Sequence, residues 1–558
     1  MSSESEREPL LEVELLGGVG EFGMNMMAVR SGDTCLLIDA GSMFPTPDLF
    51  GVDRIIPDTT RLRHDERRLS ALVLTHAHED HIGAVPYVWN LIDGPVYGTP
   101  LTLAFLKAKL DAHGLDPGNR LITVTPPYTV TVGELQVEFI HVTHSMPDCV
   151  ALAIHSSVGT LIHTGDFKFD QTPPDGLRLD SDRLAELGTN GVLALMSDST
   201  NAELPGRTGS ELDVVPAFEE IFESTLGKIV VATFASSLHR IQILINLAAR
   251  FERKIAFVGR GIIKNTEMAE RLGYLQIPGG IRIPDADVTH HDPQNVLCIV
   301  TGSQGEALSA LSRMAVDEHR HVSLSPNDVV VFSARAIPGN QRAIGRLMNH
   351  ISRHGTRVVH EGTKLVHVSG HGSEEDLNLM LELVRPRYFV PIHGEYRYLT
   401  HHARIAKRVA ADQTKVLLVE NGDRLCFDAT GAWVGERALT GRVLIDDSHT
   451  GEVTDEVIRD RRRLASDGII VPVVIIDRQA RSVEVQPNVI TRGFVVDSTT
   501  ELLLKAVPDM ICELVDAINS EERNDHGLVT ERVRIELQRL FRKKPGKGPV
   551  VAPVIMEV

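Results

Sequence analysis

One short segment of the sequence concentrates side chains that can bind metal ions. Residues 75–83 read THAHEDHIG, which places three imidazoles and two carboxylates within six residues, directly after a short apolar run. Imidazole and carboxylate both suit Zn²⁺ or Mn²⁺, and a turn after a strand can direct His76 and His78 to one cation. The same turn can direct Asp80 and His81 to a second cation, and a pair of metal ions indicates hydrolysis. A surface loop rich in histidine is the alternative, but it gives no reason for this pattern between two apolar stretches.

Further ligands must come from elsewhere in the chain, because four side chains cannot complete two coordination shells. A single histidine after a strand is more often structural than a ligand. Several such positions together with residues 75–83 nevertheless form a consistent set. The candidates are His144 after the apolar segment 137–142, Asp166 after 160–163 and His393 after 388–392.

The order of these residues resembles that of the metallo-β-lactamase superfamily, in its β-CASP branch of nucleic-acid-processing enzymes. The resemblance is closest to the ribonuclease J family, and it extends from the first strand to about Thr440. Six further segments carry it: GGVGEFGMN at 17–25, SDSTN at 197–201, FASSLHR at 234–240, TGSQGE at 301–306, FSARAIPGN at 332–340 and HVSGHG at 367–372.

This resemblance implies that the protein holds two divalent cations per subunit. Zn²⁺ is the first candidate, with Mn²⁺ or Mg²⁺ as alternatives, since mixed imidazole and carboxylate ligation accepts several metals. A water held between two cations would lose a proton near neutral pH and attack a phosphodiester phosphorus, while the cations neutralise charge on the phosphoryl oxygens. The implied ligands are His76, His78 and His144 for the first metal, Asp80, His81 and His393 for the second, and Asp166 as the bridge.

Three other residues receive roles close to the metals. The resemblance makes His371 the group that donates a proton to the leaving group and pairs it with the carboxylate of Asp198. It also counts Asp80 as a catalytic residue in addition to a metal ligand. Considered alone, Asp198 could instead cap a helix. We expect Asp39, which follows the strand at 35–38, to orient a metal ligand without binding metal; an ordinary turn aspartate is the alternative.

Polar turns after predicted strands suit phosphate binding, because backbone N–H groups at helix N-termini attract anions. Helix capping is the competing explanation for any single hydroxyl. The predicted phosphate contacts are Ser236, Ser237, His239 and Arg240 in one turn, and Ser369, Gly370 and His371 in a second turn that follows a predicted strand at 365–368.

The resemblance implies a ribonuclease that acts in RNA maturation and decay, including rRNA processing and mRNA decay. It implies 5′-to-3′ exonuclease activity on 5′-monophosphate ends together with endonuclease activity. RNA, a second copy of the chain in a homodimer or homotetramer, and the proteins of an RNA-decay complex are the expected partners. The alternatives are a DNA-processing or small-substrate hydrolase of the same fold, and a non-catalytic RNA-binding subunit. The inserted domain argues against small substrates, and the complete ligand set argues against a non-catalytic subunit.

Composition limits the class of protein. The 558 residues, with 42% hydrophobic and 24% charged side chains, indicate a folded chain of about three domains. A net charge of −18 taken alone favours a small-molecule hydrolase, but we expect a local positive groove on an acidic protein.

Five cysteines without CxxC spacing argue against disulfides and thiolate metal sites. The polar start at 1–10 and the short aliphatic run at 469–476 predict no export signal and no membrane span, hence a cytoplasmic protein.

The order of elements predicts an α/β protein. Short strands with Gly-rich turns fill the chain to residue 201. Strands and helices alternate from residue 227, with one of the helices predicted at 307–315, and His393 lies beyond that alternation. A parallel-sheet domain therefore interrupts the metal-binding domain. The basic cluster at 542–547 either contacts RNA or is a solvated linker. The predicted regions are 1–205, first part of a metallo-β-lactamase αββα sandwich; 206–355, an inserted β-CASP domain; 356–445, second part of the sandwich; and 446–558, a linker and a small C-terminal α/β domain.

Overall fold

The computed structural model describes most of the chain from Leu10 onward. Contacts divide the chain into two compact units, Met1–Phe44 with Ile55–Val443 and Pro45–Arg54 with Leu444–Val558. The predicted boundaries at 205, 355 and 445 stay predictions. The described residues are 10–46, 48–64, 68–337, 339–409, 413–447, 451–477, 482–494, 498–518, 526–542 and 548–558.

Short strands dominate the first part of the chain, as the sequence predicts. Most of them are rows of buried aliphatic residues ended by glycine or by the polar turns discussed below. The strands are β1 (Leu11–Gly17), β2 (Val19–Gly20), β3 (Met26–Ser31), β4 (Thr34–Ile38), β5 (Arg54–Pro57), β6 (Ala71–Val73), β7 (Val96–Gly98), β8 (Leu121–Thr123), β9 (Tyr128–Val132), β10 (Leu135–Val142), β11 (Cys149–Ser156), β12 (Gly159–His163) and β13 (Ala194–Asp198); the helices are α1 (Thr60–His64), α2 (Glu79–Ile82), α3 (Val85–Val88), α4 (Pro100–Ala112) and α5 (Ser181–Asn190).

An alternation of strands and helices follows and builds a separate sheet. The sheet is wholly parallel, with strand order β15-β16-β14-β17-β18. This confirms the predicted parallel sheet of βαβ units. Its own core includes Val230, Val300 and Leu347. The elements are β14 (Ile229–Ala232), β15 (Lys254–Val258), β16 (Val296–Val300), β17 (Val329–Phe332) and β18 (Arg357–Val359), with α6 (Val215–Ser224), α7 (Leu238–Arg250), α8 (Arg260–Arg271), α9 (Ala310–Ala315) and α10 (Gln341–Arg353).

The chain then returns to the first part, as the position of His393 predicts. One sheet has the order β23-β22-β1-β3-β4-β6-β7-β8 and the other β21-β19-β13-β12-β11-β10-β9. Their facing sides share one core, to which Val13 and Val73 contribute from the first sheet and Leu152 and Val390 from the second. The returning elements are β19 (Tyr388–Ile392), β20 (Gly394–Glu395), β21 (Lys415–Val416), β22 (Arg424–Phe427) and β23 (Ala432–Val434), with α11 (Glu374–Val384) and α12 (Tyr396–Val409).

The C-terminal unit is a small α/β structure, as predicted. The alternate residues Ile470 and Val474 of its central strand pack against Val507, Ile511 and apolar residues of the last helix. Of the basic cluster at 542–547, residues 543–547 lie outside the described residues, as do residues 1–9 of the predicted polar start. The last elements of the chain are β24 (Arg442–Asp446), β25 (Gly451–Glu452), β26 (Ile469–Ile476), β27 (Val483–Arg492), β28 (Val550–Val551) and β29 (Val554–Glu557), with α13 (Asp455–Asp467), α14 (Ser498–Ala517) and α15 (His526–Leu540).

Two predicted elements differ from the structure. The helix predicted from 307 begins only at Ala310, because the side chain of Ser309 caps it by accepting from the amide of Ser312. The strand predicted at 365–368 was wrong, since these described residues form a loop. The buried carbonyl of Val366 accepts hydrogen bonds from side chains, so this segment needs no strand partner. Across the described part of the chain, each helix is too short or too polar to cross a membrane.

Candidate metal centre

The predicted ligands come together at the carboxyl ends of parallel strands. β12, β13 and β19 are adjacent and parallel, so Asp166, Asp198 and His393, which end or follow them, meet at one edge of the second sheet. In the first sheet β4 and β6 are parallel neighbours, which brings Asp39 beside the segment that begins at Thr75. The sequence therefore places these groups together through strand direction, although long stretches of chain separate them.

One group of four side chains surrounds a single point. Nδ1 of His78 lies 3.0 Å from Nε2 of His76 and 3.1 Å from Nε2 of His144. Oδ2 of Asp166 lies 3.6 Å from the same nitrogen of His76 and 3.9 Å from that of His144. Nitrogen lone pairs directed at one point at these separations need a cation or a proton between them.

A second group shares the same aspartate. Oδ2 of Asp166 lies 3.3 Å from Nε2 of His81, and its Oδ1 lies 3.6 Å from Nε2 of His393. Oδ2 of Asp80 lies 3.3 Å from Nε2 of His393 and 3.7 Å from that of His81. In each group, one candidate ligand atom per residue lies within 4.8 Å of every other. Asp166 thus stands between two groups that could each hold a metal ion.

The remaining ring nitrogens are held by hydrogen bonds, which fixes the orientation of the imidazoles. Nδ1 of His81 donates to Oδ2 of Asp39 across 2.7 Å. Oγ1 of Thr75 donates to the same carboxylate oxygen at 2.8 Å and lies 3.1 Å from Nδ1 of His76. Nδ1 of His144 donates to the carbonyl oxygen of Gly370 at 2.7 Å.

His393 has an equivalent arrangement. Its Nδ1 lies 2.7 Å from Oγ1 of Thr200, and that hydroxyl donates to Oδ1 of Asp198 at 2.7 Å. A threonine and an aspartate therefore orient candidate ligands at two places. Thr75 and Asp39 contact His76 and His81, and Thr200 and Asp198 do the same for His393. Sequence reasoning missed both threonines, although Thr75 directly precedes His76.

Charge in this cluster is unevenly distributed among the imidazoles. Burial lowers the pKa of His78 to about 4, and burial with the positive charge of His81 holds the pKa of His76 well below its ordinary value. Burial also acts on His81, but the carboxylates of Asp166, Asp80 and Asp39 raise the pKa of its imidazole well above the usual range. Protons on some imidazoles thus supply positive charge to the buried carboxylates.

The carboxylates show the complementary effect. Burial raises the pKa of Asp166, but the charges of His393, His81 and His371 outweigh it and leave the pKa well below its ordinary value. Asp80 likewise keeps a lowered pKa, against burial, because of His81 and His393. Buried carboxylates and buried imidazoles with oriented ring nitrogens are the donor set that divalent cations such as Zn²⁺ accept. The residues present therefore fit a divalent metal site.

His371 and Asp198 form the expected pair beside these groups. Nδ1 of His371 donates to Oδ2 of Asp198 across 2.7 Å, and the same nitrogen lies 3.9 Å from Oδ2 of Asp166. Burial lowers the pKa of His371, but Asp198 and Asp166 raise it above its ordinary value. Asp198 also accepts from the amide of Thr200 at 2.9 Å, but the residues that follow it form a turn, so it does not cap a helix as the alternative held.

Two glycines allow the segments around the cluster to approach closely. A Cβ at Gly41 would lie 1.6 Å from the carbonyl oxygen of Asp80, and a Cβ at Gly370 would lie 2.6 Å from Cε1 of His144. Any larger residue would displace these candidate ligands. Asn25, in the glycine-rich segment at 17–25, donates to the carbonyl of Asp80 at 3.0 Å and lies 3.1 Å from Nε2 of His81. Sequence reasoning quoted Asn25 only as part of a motif.

The residues predicted to bind phosphate fall into two sets. Ser369, Gly370 and His371 lie in the loop beside the metal-binding cluster, and Oγ of Ser369 accepts from Nδ2 of Asn201 at 2.8 Å and from the amide of His371 at 3.1 Å. Ser237 is the residue directly before α7, and its side chain makes no capping hydrogen bond to that helix. Ser236, which precedes it, is partly exposed.

The structure does not place His239 and Arg240 with these partly exposed residues. Both side chains are buried, and Nε2 of His239 lies 3.1 Å from Oδ2 of Asp175. The guanidinium of Arg240 donates to Glu211, Ser333 and the carbonyl of Val366. Protein groups therefore occupy the Arg240 donors that a phosphate would need, and burial keeps the imidazole of His239 from such a contact.

A cavity of about 440 Å³ lies against the loop that carries His371. Asn201 and Thr208, which both donate to the carbonyl oxygen of His371, line it. Its wall contains Arg335 but also Asp213 and Glu361. The lining is thus mixed in charge, and the predicted positive groove stays a prediction.

Comparison with known proteins agrees with this architecture and site. Four families match successive parts of the chain and together cover most of it. They are the Metallo-beta-lactamase superfamily at residues 19–205, Ribonuclease J, beta-CASP domain at 226–351, Zn-dependent metallo-hydrolase RNA specificity domain at 349–417, and Ribonuclease J C-terminal domain at 456–558. The fold and the clustered histidines and aspartates define a metallo-β-lactamase-superfamily protein with a β-CASP insertion.

Full-length relatives narrow this class. Ribonuclease J of Helicobacter pylori (strain ATCC 700392 / 26695) is 36% identical over 97% of this chain and 79% of its own length. Ribonuclease J2 of Bacillus subtilis (strain 168) is 36% identical over 97% of this chain and 98% of its own length, and Ribonuclease J 2 of Staphylococcus saprophyticus is 34% identical over the whole of both chains. The chain belongs to the ribonuclease J family.

A solved structure shares the fold at low sequence identity. A protein of unknown function from Enterococcus faecalis V583 matches 75% of this chain and 100% of its own, with a TM-score of 0.53 and 17% identity. At that identity the likeness concerns the fold alone.

Proposed function

We propose that this protein is a metal-dependent ribonuclease that hydrolyses phosphodiester bonds of RNA. Family membership supports the substrate class, and the convergence of seven histidine and aspartate side chains supports the chemistry. The second observation carries the proposal, because a protein that only binds RNA has no need of two adjacent buried ligand groups. His76, His78 and His144 would hold one divalent cation, Asp80, His81 and His393 a second, and Asp166 would contact both.

Metal ions bound there would supply water activation and neutralise charge on the phosphoryl oxygens. The chain itself supplies orientation. Asp39 holds Nδ1 of His81 and, through Thr75, steadies His76, so their Nε2 atoms stay directed at the cluster. We assign Asp39 the role of positioning these ligands.

His371 is our candidate for the proton donor to the leaving oxygen. Asp198 accepts the hydrogen bond from Nδ1–H, so Nε2 is the nitrogen that carries the transferable proton, and the carboxylate favours the imidazolium form. Nδ1 of His371 lies 3.9 Å from Oδ2 of Asp166, which supports a position of this imidazole at the edge of the proposed metal site. Attack and protonation can then occur on the same phosphodiester group.

We further propose 5′-to-3′ exonuclease activity on 5′-monophosphate ends together with endonuclease activity, in RNA maturation and decay. The loop at Ser369 and Gly370 and the turn at Ser236 and Ser237 remain the proposed phosphate contacts, whereas the buried Arg240 is no longer one of them. The cavity beside His371 has the volume of a small-ligand site. A homodimer or homotetramer, and association with other RNA-decay proteins, also remain proposals.

End-labelled RNA tests the proposed activity. Purified protein is incubated with one RNA sequence that bears a 5′-monophosphate or a 5′-triphosphate, with and without a chelator, and with a DNA strand of the same sequence. We expect mononucleotide products from the monophosphate RNA, slower release from the triphosphate RNA and no cleavage with chelator. Cleavage that persists in chelator would reject the metal mechanism, and faster cleavage of the DNA would reject RNA as the substrate.

A further inference from the structure

Arg240 connects the parallel sheet to the loop that carries His371. Its side chain is only 2% exposed, and Nε and Nη2 both donate to Oε2 of Glu211, at 3.2 and 2.7 Å. Nη1 donates to Oγ of Ser333 at 2.7 Å and to the carbonyl oxygen of Val366 at 2.8 Å. A planar guanidinium with all four of these bonds has one orientation, so its three partners have fixed relative positions.

The Val366 carbonyl is the point at which this network holds the loop. Oγ of Ser333 also donates to it at 2.7 Å, so one buried carbonyl accepts two side-chain hydrogen bonds from the end of β17 and from α7. Val366 is fully buried and precedes Ser369 and His371 by a few residues. The start of the loop is thus tied to the parallel sheet.

The other end of the loop is tied to the metal-binding part of the chain. The carbonyl of His371 accepts from Asn201 and Thr208, and the amide of Gly372 donates to the carbonyl oxygen of Phe167 at 2.7 Å. Phe167 directly follows Asp166. Hydrogen bonds from different parts of the fold therefore hold the backbone on both sides of the loop that carries the His371 imidazole.

Glu211 closes the connection between these anchors. Its amide donates to Oδ2 of Asp170 at 2.9 Å, and its Oε1 lies 3.5 Å from Nζ of Lys168. Lys168 is completely buried, bonds the carbonyl of Gly209 at 3.2 Å and lies 3.4 Å from Asp170. A continuous buried network therefore runs from the segment after Asp166 through Glu211 and Arg240 to Val366.

We propose that Arg240, with Glu211 as its counter-ion, is a positioning residue for His371: the pair fixes the loop at 366–371 so that the His371 imidazole faces the metal-binding cluster. This inference rests on the proposed ribonuclease function. It replaces the phosphate contact that the sequence suggested for Arg240. A displacement of about 1 Å at a reacting group can lower a rate about 100-fold, so a buried anchor of this kind has a measurable effect on turnover.

The variant Arg240→Lys tests the proposal, because it keeps the charge and removes the planar fork. We expect kcat on 5′-monophosphate RNA to fall about 10- to 100-fold with KM changed less than about 3-fold, since the loss concerns orientation and not substrate binding. Hydrogen exchange measured by mass spectrometry should become faster in peptides that cover 365–372. Ser333→Ala removes one donor to the same carbonyl and should give a smaller change of the same kind.

A double-mutant cycle separates positioning from general destabilisation. If Arg240 acts through His371, then Arg240→Lys should cause little further loss of kcat in a His371→Ala background. A loss that persists in full in that background would overturn the inference.

Arg253 provides a matched control. Like Arg240 it is a buried arginine of the parallel-sheet part of the chain. It directly precedes β15 and donates to the carbonyls of Gly227, Thr225 and Val296 near the amino ends of the strands, at the edge opposite Ser333. We expect Arg253→Lys to lower the melting temperature without changing kcat or the exchange of peptides at 365–372. The same kcat loss in this control would contradict a positioning role for Arg240.

The outcomes distinguish this inference from the proposed function. If the wild-type protein cleaves RNA, and Arg240→Lys changes neither kcat nor hydrogen exchange at 365–372, the inference about Arg240 is rejected and the proposed function stands. Wild-type protein that fails to cleave RNA would reject the proposed function, and unchanged exchange at 365–372 would then still reject the anchoring of the loop. If Arg240→Lys does not fold, Ser333→Ala serves for both readouts, with the same criteria.

Discussion

Nδ1 of His371 donates a hydrogen bond to Oδ2 of Asp198 across 2.7 Å, although 173 residues separate the two. Asp198 ends β13 in the part of the chain that carries the candidate metal ligands. The loop of His371 begins at the Val366 carbonyl, which accepts from Arg240 of α7 and from Ser333 after β17. The loop of His371 is therefore held at its start by Arg240 and Ser333, while its imidazole bonds to Asp198. The positioning role proposed for Arg240 would link the inserted domain to the chemistry proposed for the site.

We predict that Asp198→Asn lowers kcat on RNA about 100- to 10,000-fold, the range typical of losing general acid–base catalysis. The amide cannot stabilise the imidazolium of His371, while the proposed metal ligands remain in place. Turnover is measured on 5′-monophosphate RNA, and bound metal by mass spectrometry of the acid-digested protein. Asp180→Asn is the control, because Asp180 caps α5 by accepting from the amide of Arg183. A rate in Asp198→Asn equal to that of the control would exclude a catalytic role.

We predict that Asp39→Asn weakens metal binding about 10- to 100-fold, as is usual when the partner of a ligand histidine is removed. The variant should regain most of its activity when excess Zn²⁺ or Mn²⁺ is added, because the ligands themselves are intact. Titration with a metal buffer measures the change. Asp33→Asn, exposed in the turn before β4, is the matched control at the opposite end of the same strand. If Asp39→Asn binds metal with wild-type affinity, Asp39 does not orient a metal ligand and is an ordinary turn aspartate.

Metal content should distinguish the two ligand groups. We predict that His393→Ala retains about one divalent cation per chain and that His144→Ala also retains about one, since each substitution removes a ligand from a different group. His113→Ala, at an exposed helix end, should keep the wild-type content. Metal-to-protein ratios after gel filtration provide the measurement. An unchanged ratio in both ligand variants would place the metals elsewhere.

Glu211 predicts a pH dependence of stability. Burial raises its pKa, but Arg240 and Lys168 outweigh burial and lower it below the ordinary value. A carboxyl with a depressed folded pKa stabilises the fold above its unfolded pKa of about 4.3, and this contribution is lost as pH falls through the folded pKa. We therefore expect Glu211→Gln to be destabilised by about 3–5 kcal/mol at pH 7, because Arg240 is left unpaired.

The destabilisation by Glu211→Gln should shrink as the pH falls from the unfolded pKa of about 4.3 through the depressed folded pKa, where the wild-type carboxylate becomes protonated. Chemical denaturation of both proteins at pH 7 and at acidic pH measures the difference. A destabilisation that grows on acidification would have the wrong sign for a paired carboxylate.

The ligand positions could be predicted from the sequence because each follows a strand. Parallel neighbours end at one edge of a sheet, so Asp166 and His393 had to meet once β12, β13 and β19 were adjacent. The supporting contacts could not be predicted in this way. Thr200 and His393 are 193 residues apart, and only the completed fold shows that the hydroxyl lies between Asp198 and the imidazole.

Arg240 and Val366 show where local patterns mislead. An arginine in a polar turn before a helix suggests phosphate binding, but Glu211, which lies 29 residues away, buries and neutralises it. The apolar residues around Val366 suggest a strand, but side chains satisfy its backbone instead. In both cases a distant polar partner, and not the local sequence, determines the structure.

Anomalous diffraction from crystals of the metal-loaded protein tests the central claim most directly. We predict two peaks at the absorption edge of the added Zn²⁺ or Mn²⁺, one about 2.0–2.2 Å from Nε2 of His76 and the other at a similar distance from Nε2 of His393, with Asp166 between them. Absence of anomalous density at both positions, in protein that still cleaves RNA, would contradict the account.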